Sequence, residues 1–383
     1  MTKALTMNDM LPLKGLKVLD FSQFLAGPYC ALKLADLGAD VVKVERSGLG
    51  DLSRYLYLTD TRIAGESTIF HAINRNKRSV AVDLKSDDDK ARLTQLVRDA
   101  DVILQNFRPG VMERLGFGYE AVKKINPTVV YGTVTGYGSD GPWVDLPGQD
   151  LLAQARSGVM WLSGGRDHGP VAMGLPIADV LAGSALAHGV LALLYRKATQ
   201  NIGGYVETSL IEVLADLQFE LLTTWFNDGN RTPERSKNNP AHAYLAAPYG
   251  VYETANGHIA IAMGKLDLLA TITGLAPEIA GLDAFKQRDE IKAGLAAQLK
   301  TRTSASWMDD FVANDIWAAP VMDWDGVVAS GVLQTLDMVQ NIERGDVAMK
   351  TTKLPLRIDG VRPSSSRAAP ELGDANGLLE TGW

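Results

Sequence analysis

The sequence predicts an α/β protein with a parallel sheet in a large domain and a smaller α+β domain beside it. In the first third of the chain, short apolar runs alternate with helical patterns, which is typical of βαβ units. The chain has 383 residues, which is too long for one ordinary core. A polar stretch rich in Asn, Pro and Arg, 226–245, separates two regions of different pattern and predicts a linker.

The elements of the large domain follow from apolar runs and from helical spacing. Strands are predicted at 16–21, 40–45, 79–84, 101–107, 129–134 and 205–210. Helices are predicted at 29–37, 87–99, 149–160, 179–197 and 211–226. Because crossovers between parallel strands are right-handed, we expect the ligand crevice at the carboxyl ends of the strands.

The smaller domain is predicted to begin after the linker with a hairpin. Runs at 248–254 and 258–263 flank Asn256-Gly257, a strong turn signal, and helices at 266–274, 283–299 and 304–314 follow. The predicted division is therefore a large domain over 1–225, completed by 330–383, a linker over 226–245 and a small domain over 246–329.

Composition excludes several classes of protein. A net charge of -7 and a pI near 5.4 argue against a general nucleic-acid binder. The single cysteine, Cys30, permits neither an internal disulfide nor a cysteine zinc site and fits the cytoplasm. The five histidines lack metal-ligand spacing, so no metal is expected. The apolar run 180–195 is shorter than the roughly 20 residues of a membrane span, which predicts a buried helix and no membrane partner.

Basic and amide side chains recur next to the predicted strands of this acidic protein. Such side chains suit the phosphates of a ligand such as coenzyme A. Each cluster alone fits a solvated surface better, and only their recurrence at strand ends makes the two interpretations equal. The candidates are Arg46, Asn74, Asn76, Lys77, Asn106, Phe107, Arg108 and Arg114.

Asp179 stands directly before the longest apolar helix pattern. Its position favours an N-cap, and a carboxylate held ionised at a helix N-terminus can also attack an electrophile. The turn Ala26-Gly27-Pro28 offers a second helix N-terminus, but it lacks the glycine pattern of dinucleotide sites. Both segments therefore have a structural and a functional interpretation.

Several segments in order resemble the class III CoA-transferases, the CaiB/BaiF family that includes formyl-CoA transferases and α-methylacyl-CoA racemases. The resemblance covers most of residues 13–215 and weakens in the second domain. The matching segments are VLDFSQFLAGP, LGADVVKVE, NRNKRSVAVDLKS, ADVILQNFRPGVMERLGFGYE, PGQDLLAQARSG, GLPIADVLAG and APELGD.

The resemblance implies an interlocked homodimer in which each chain has a Rossmann-like large domain. It implies that Asp179 is the nucleophile that takes the acyl group of a CoA thioester, with no permanently bound cofactor. Leu25, Ala26 and Asp150 match the active site, and the eight basic, amide and aromatic candidates named above match coenzyme A contacts. The implied partners are an acyl-CoA donor, a small carboxylate acceptor and a second copy of the chain.

Two departures from the family pattern narrow the expected chemistry. Leu25 replaces a glutamine of the formyl-CoA transferases, and NPAHAYLAAPYG replaces their glycine run, so formyl-CoA and oxalate specificity is not expected. Gln149 stands thirty residues before Asp179, where the racemases have a histidine. Because glutamine cannot shuttle a proton, we expect transfer rather than epimerisation. A racemase or a catalytically silent CoA-binding protein remains the alternative.

Overall fold

A six-stranded parallel sheet forms the centre of the region between residues 17 and 209. The structure, a computed structural model, describes residues 11–345, 347–365 and 367–383. The strands of this sheet are β1 (Lys17–Asp20), β2 (Asp40–Arg46), β5 (Lys77–Val82), β6 (Val102–Gln105), β7 (Val130–Thr135) and β8 (Gly204–Ser209). Their spatial order is β5-β2-β1-β6-β7-β8, with every pair parallel. The predicted parallel sheet is confirmed, and this order is that of doubly wound α/β sheets.

Helices cover both faces of the sheet because its strand residues are apolar on both sides. One face packs α1 (Ala26–Asp36) and α7 (Ile177–Gln200) against residues such as Val18 and Val102. The other face packs α3 (Asp87–Asp99) and its neighbours against residues such as Leu19 and Ile103. The remaining elements of this region are β3 (Arg62–Ile63), β4 (Glu66–Ser67), α2 (Thr68–Asn74), α4 (Val111–Leu115), α5 (Tyr119–Ile125) and α6 (Asp150–Ser157).

The second half of the chain contains a three-stranded antiparallel sheet with helices. Its order is β11-β10-β9, and the predicted Asn256-Gly257 turn joins β9 to β10. The elements are α8 (Leu210–Leu217), α9 (Phe219–Asn227), β9 (Gly250–Thr254), β10 (Gly257–Ile261), α10 (Leu266–Thr273), α11 (Pro277–Ala280), α12 (Arg288–Leu299), α13 (Ser304–Ala313) and β11 (Ala318–Pro320). The chain ends with α14 (Trp324–Ala329), α15 (Val332–Thr335), β12 (Val339–Arg344), β13 (Val347–Thr352) and α16 (Leu378–Thr381).

The described residues form two compact units. One comprises the residues up to Ala153 with Pro176–Leu214 and Val332–Trp383, and the other comprises Gln154–Leu175 and Ala215–Gly331. The predicted division at 226–245 stays a prediction, and residues of that segment pack against α12. Asp289 accepts from the backbone N–H groups of Lys237 and Asn238, and buried Lys292 donates to Ser236. The polar composition of this segment therefore reflects hydrogen bonding to a helix.

The predicted helix over 211–226 is two helices. Gln218 interrupts it between α8 and α9, and its side chain donates to the carbonyl of Ser157. The prediction that the apolar run 180–195 is a buried helix is correct for only part of α7. The helix packs on α1, β7 and β8, whereas Tyr195 is 73% exposed. By length and composition alone α7 is the one helix of the described residues that could cross a membrane, a property that core helices of soluble proteins share.

The C-terminal segment covers the free edge of β5. The backbone N–H groups of Ser79 and Ala81 donate to the side chains of Asp374 and Asn376, both at 2.7 Å. The N–H of Ala375 donates back to the carbonyl of Ser79 at 2.8 Å. An edge strand otherwise presents unpaired backbone groups, so this segment completes the sheet.

Candidate active site

Asp179 lies in the first turn of α7, at its third residue, and is half-buried. It is not the N-cap, which corrects the sequence-based expectation. The capping is done by Asp150, whose Oδ1 accepts from the backbone N–H of Ala178 at 2.7 Å and of Asp179 at 3.2 Å. Because another carboxylate satisfies these donors, the carboxyl group of Asp179 is not needed to cap its own helix.

A contact between two glycines places Asp150 beside α7. A Cβ added to Gly136 would stand 2.6 Å from the Cα of Gly148, so the two glycines are in direct backbone contact. Gly136 directly follows β7, so the chain returns to the carboxyl end of the sheet before α6 begins at Asp150. Gln149, which precedes α6, is exposed at this point. The structure therefore brings the predicted residues Gln149, Asp150 and Asp179 together at the carboxyl end of the parallel sheet.

The environment of Asp179 favours its neutral form more than free water does. Burial is the larger cause and the negative charge of Asp150 is the second, and together they raise the pKa of Asp179 to about 7. The sequence-based expectation of a firmly ionised carboxylate is thus wrong. Near neutral pH, the carboxyl group of Asp179 is divided between its neutral and its ionised form. Little free energy separates the two forms, so a large fraction of the group is ionised and available as a nucleophile.

The N-terminus of α1 lies directly against α7. A Cβ added to Gly183 would stand 2.5 Å from the carbonyl oxygen of Ala26, so only glycine permits this approach. Gly183 is one turn after Asp179 and shares its helix face. Leu25 precedes the first residue of α1, and no side chain of the described residues caps this helix. The backbone N–H groups of the first turn of α1 therefore lack a side-chain cap, and this turn packs against α7 one turn after Asp179.

Three predicted arginines lie in the loops at the carboxyl ends of the strands. Arg46 ends β2, Arg108 follows β6, and Arg114 lies in α4; all three are exposed. None of them forms an ion pair with a described residue. In the order β2-β1-β6 these loops flank the β1–α1 loop, and the switch point between β1 and β6 is where doubly wound sheets bind ligands. Phe107, also in this loop, packs partly against the core.

Three other predicted ligand contacts are committed to the protein itself. The Lys77 ammonium is fully buried and donates to Asp20, to the carbonyl of Pro28 and to Asn74 at 2.9–3.0 Å. Asn74 is fully buried as well. The amide of Asn106 both donates to and accepts from the backbone of Gln23, at 2.8 Å. Because their polar atoms are used, side-chain contact with coenzyme A is not supported for these three in this conformation.

Asn76 lies apart from the arginines. It precedes β5 and is therefore at the amino end of the sheet, where its side chain bonds Asp36 and the backbone of Arg367. Its φ is +63°, in the left-handed region that asparagine tolerates. The eight predicted contacts consequently divide into an exposed carboxyl-end group and a group that supports the fold.

Sequence reasoning missed Lys43 and Asp51, which form a fully buried ion pair of 2.8 Å beside the β1–α1 loop. The signal was a lysine within the apolar strand DVVKVE, because a lysine inside a buried strand needs a partner. Cys30 lies near the start of α1 as well, but burial strongly raises the pKa of its thiol, which disfavours the reactive thiolate. Among the described residues, no group of His, Cys, Asp and Glu is arranged to hold a metal ion.

The fold and the site define a doubly wound α/β protein with a half-buried carboxylate in the first turn of α7. The sequence matches the family model "CoA-transferase family III" over residues 13–376, and the chain belongs to that family. It is thus an enzyme, a class III CoA-transferase, and the resemblance of the CaiB/BaiF motifs is confirmed.

Individual relatives agree with this assignment. The chain is 32% identical to an acetyl-CoA:oxalate CoA-transferase of Acetobacter aceti, covering 96% of this chain and 95% of the relative. It is 30% identical to a succinyl-CoA:mesaconate CoA-transferase of Haloarcula marismortui, covering 94% of each. The crystal structure of a CaiB/BaiF family protein from Brucella suis superposes with a TM-score of 0.83 at 27% identity, covering 97% of this chain and 98% of that one.

Proposed function

We propose that the enzyme moves coenzyme A from a donor acyl-CoA to a small carboxylic acid, with Asp179 as the nucleophile. The observation that carries the proposal is the position of Asp179, half-buried in the first turn of α7 and next to the uncapped N-terminus of α1. Transfer between an acyl-CoA and a carboxylate is the chemistry of the family to which the chain belongs.

The proposed reaction has four attacks. The Asp179 carboxylate attacks the thioester carbonyl, which forms an acyl-aspartyl anhydride and releases CoA thiolate. The thiolate then attacks the aspartyl carbonyl, which gives an aspartyl-CoA thioester and the free donor acid. The acceptor carboxylate attacks this thioester, and a second anhydride forms as thiolate leaves. Thiolate finally attacks the acceptor carbonyl, which yields the new acyl-CoA and restores Asp179.

Each tetrahedral intermediate carries an oxyanion that needs hydrogen-bond donors. We assign this role to the backbone N–H groups of Leu25, Ala26 and Gly27, because no side chain of the described residues caps α1. The helix dipole adds a favourable potential at the same place. Asp150 holds the α7 N-terminus and sets the charge around Asp179, and exposed Gln149 lies next to it. The half-buried position of Asp179 limits the water that could hydrolyse the anhydrides.

Arg46, Arg108 and Arg114 are proposed to bind the phosphates of coenzyme A. They are exposed, they lack ion-pair partners among the described residues, and they flank the sheet switch point. Arginine suits phosphate because its planar donors bind two oxygens at once. Phe107 completes this group as an apolar surface beside the arginines. Asn74, Asn76 and Lys77 are proposed to act indirectly, by fixing the elements that surround the crevice.

We also propose that the enzyme is an interlocked homodimer in the cytoplasm. Support for a second copy comes from α9, in which no residue is buried although Phe219 is 69% and Phe226 is 64% exposed. Apolar surface of this extent on one helix is typical of a subunit contact. The reduced, buried Cys30 fits a cytoplasmic location.

A donor and acceptor screen with hydroxylamine trapping tests the proposed activity. Acetyl-CoA and succinyl-CoA are each incubated with oxalate, mesaconate, glutarate and monocarboxylates, and new acyl-CoA is read by mass spectrometry. Donor and hydroxylamine should place a hydroxamate on Asp179, and Asp179→Asn should lower transfer at least about a thousandfold. Full transfer by Asp179→Asn would contradict the mechanism, and solvent deuterium at the acyl Cα without an acceptor would indicate an isomerase.

A further inference from the structure

Three consecutive backbone positions before α1 are held by side chains from distant parts of the chain. The carbonyl of Ser22 accepts from the Lys43 ammonium at 2.6 Å. Both backbone groups of Gln23 bond the amide of Asn106. The N–H of Phe24 donates to Oδ1 of Asp51 at 3.2 Å. The segment Ser22–Phe24 is thus fixed by four hydrogen bonds that do not depend on its own side chains.

The strongest part of this arrangement is the ion pair between Lys43 and Asp51. Both side chains have no exposed surface, and their charged atoms are 2.8 Å apart. A buried ion pair adds little to stability, because desolvation offsets the attraction between the charges. Here the two ends of the pair bond neighbouring residues of one loop, Ser22 and Phe24. The geometry therefore indicates a specific use, namely holding that loop in one conformation.

The backbone of Phe24 is in a conformation that the loop would not choose alone. Its φ is +62°, in the left-handed region that is costly for a bulky side chain, and its ring is 46% exposed. Such a conformation persists only where the surroundings over-determine it. The hydrogen bonds of Asn106 to the backbone of Gln23, and of Asp51 to the N–H of Phe24 itself, supply that constraint.

The fixed segment leads directly into Leu25, Ala26 and Gly27. A Cβ on Gly27 would stand 2.3 Å from Cβ of Ser22, so the first turn of α1 rests on the segment itself. Ala26 in turn contacts Gly183 of the helix that carries Asp179. A shift of Ser22–Phe24 would therefore change where the α1 N–H groups stand relative to the Asp179 carboxyl.

We propose that Lys43 and Asp51, assisted by Asn106, are positioning residues that hold the α1 N-terminus in the geometry required for acyl transfer at Asp179. This inference rests on the function proposed above. In this proposal, Lys43 and Asp51 affect the rate of the chemical step without touching either substrate. Misplacing a reacting group by about 1 Å costs on the order of a hundredfold in rate.

Charge removal in two stages separates positioning from folding. Asp51→Asn keeps an acceptor for Phe24 but removes the closest counter-charge of the buried Lys43 ammonium, which keeps only Asp20 and Glu45 as acidic neighbours. This change should lower the melting temperature by about 5 °C or more. Lys43→Met combined with Asp51→Asn removes both charges and should regain most of that loss. The double variant still lacks the donor to Ser22, so its kcat should stay about 10- to 100-fold below the parent value.

The assay uses acetyl-CoA or succinyl-CoA, whichever the screen selects, with its acceptor, and it determines kcat and the donor KM separately. We expect the donor KM of the double variant to stay within about twofold, since no substrate contact is lost. Parent kcat in a double variant that has regained its stability would overturn the proposal. A donor KM that rises in proportion to the loss of rate would overturn it as well.

A partly buried ion pair at the amino end of the sheet serves as the control. Lys197 and Asp101 form an ion pair of 2.7 Å near the start of β6, far along the strand from Asn106. Lys197→Met with Asp101→Asn should leave kcat within about twofold. If the parent enzyme transfers no coenzyme A, or if Asp179→Asn keeps full activity, the proposed function fails. If activity depends on Asp179 but Lys43→Met with Asp51→Asn keeps the parent kcat, only the positioning role is contradicted.

Discussion

The carboxylate of Asp150 accepts a hydrogen bond from the backbone N–H of Asp179 at 3.2 Å, so one acidic residue caps the helix that carries the other. The same closeness puts two negative charges near each other and contributes to the raised pKa of Asp179. A structural role and an electrostatic role are therefore combined in Asp150, and substitutions can separate them.

Asp150→Asn should move the pH profile to lower pH. Ionised Asp179 is the attacking form, so kcat/KM for the donor should rise with pH to half its maximum near pH 7. Asparagine retains an oxygen for the α7 cap but removes the charge, which lowers the pKa of Asp179. The shift should stop well above pH 4, because burial is the larger cause. An unchanged profile, or one moved to higher pH, would contradict this assignment; Asp150→Ala additionally removes the cap.

Asp179→Asn should stabilise the fold above neutral pH. The folded protein raises the pKa of Asp179 above its unfolded value, so it binds this proton more tightly than the unfolded chain does. Stability from this group is present at low pH and is lost as pH rises through about 7. Thermal unfolding should show a gain of about 1 kcal/mol or more at pH 8 after allowance for partial exposure, and little gain at pH 4. Equal gains at both pH values would exclude this explanation.

Arg108→Ala should weaken the binding of the donor without slowing the chemical step. Loss of one phosphate contact predicts a donor KM about tenfold higher at a nearly unchanged kcat, with a weaker dependence on salt. Arg98→Ala is the control, because Arg98 is equally exposed but lies in α3 before the amino end of β6. An equal effect of both substitutions would point to general charge attraction instead of a site.

Gly183→Ala should destabilise the enzyme and slow it. In a helix this change normally stabilises by about 1 kcal/mol. Here the added Cβ would stand 2.5 Å from the carbonyl oxygen of Ala26, so α1 and α7 must separate. We expect a lower melting temperature and a kcat reduced at least about tenfold. Ser184→Ala, at the next residue of the helix, should change neither quantity, and a stabilised Gly183→Ala enzyme would show that the helices are not in this contact.

Phe219→Ser with Phe226→Ser should weaken the dimer. If a second copy covers α9, two polar residues there remove apolar contact area, and light scattering after size exclusion should show more monomer as the protein is diluted. Tyr195→Ser provides a comparison on an exposed residue of α7. A monomeric parent enzyme, or an unaffected dimer, would argue against α9 as the contact.

The sequence predicted the architecture well because its signals are local. Apolar runs and intervening helices are sufficient for the parallel sheet, and Asn256-Gly257 is sufficient for the hairpin of β9 and β10. The break at Gln218 was not predictable, because it depends on a bond to Ser157, which is remote along the chain. The bonds from the predicted linker to Asp289 and Lys292 were not predictable for the same reason, since these partners are also remote along the chain.

The site was predicted only in part. Asp150 lies beside Asp179, and Arg46 and Arg108 lie at the carboxyl ends of their strands, while the roles of these residues stay predictions. The cap was assigned to the wrong aspartate, because spacing within one helix cannot reveal a carboxylate that arrives from 29 residues earlier. Lys77 and Asn106 have the composition of ligand contacts, and only three-dimensional packing shows that their polar atoms are already used.

The C-terminal segment that covers the free edge of β5 also has a consequence for the folding of the nascent protein. Asp374 and Asn376 lie 295 residues after the β5 residues that they bond, so one side of the central sheet stays open until that segment has been made and has packed. Until then, that side can pair with another nascent chain. Stop codons shortly before Asp374 should therefore yield insoluble protein even though every residue assigned to chemistry is present.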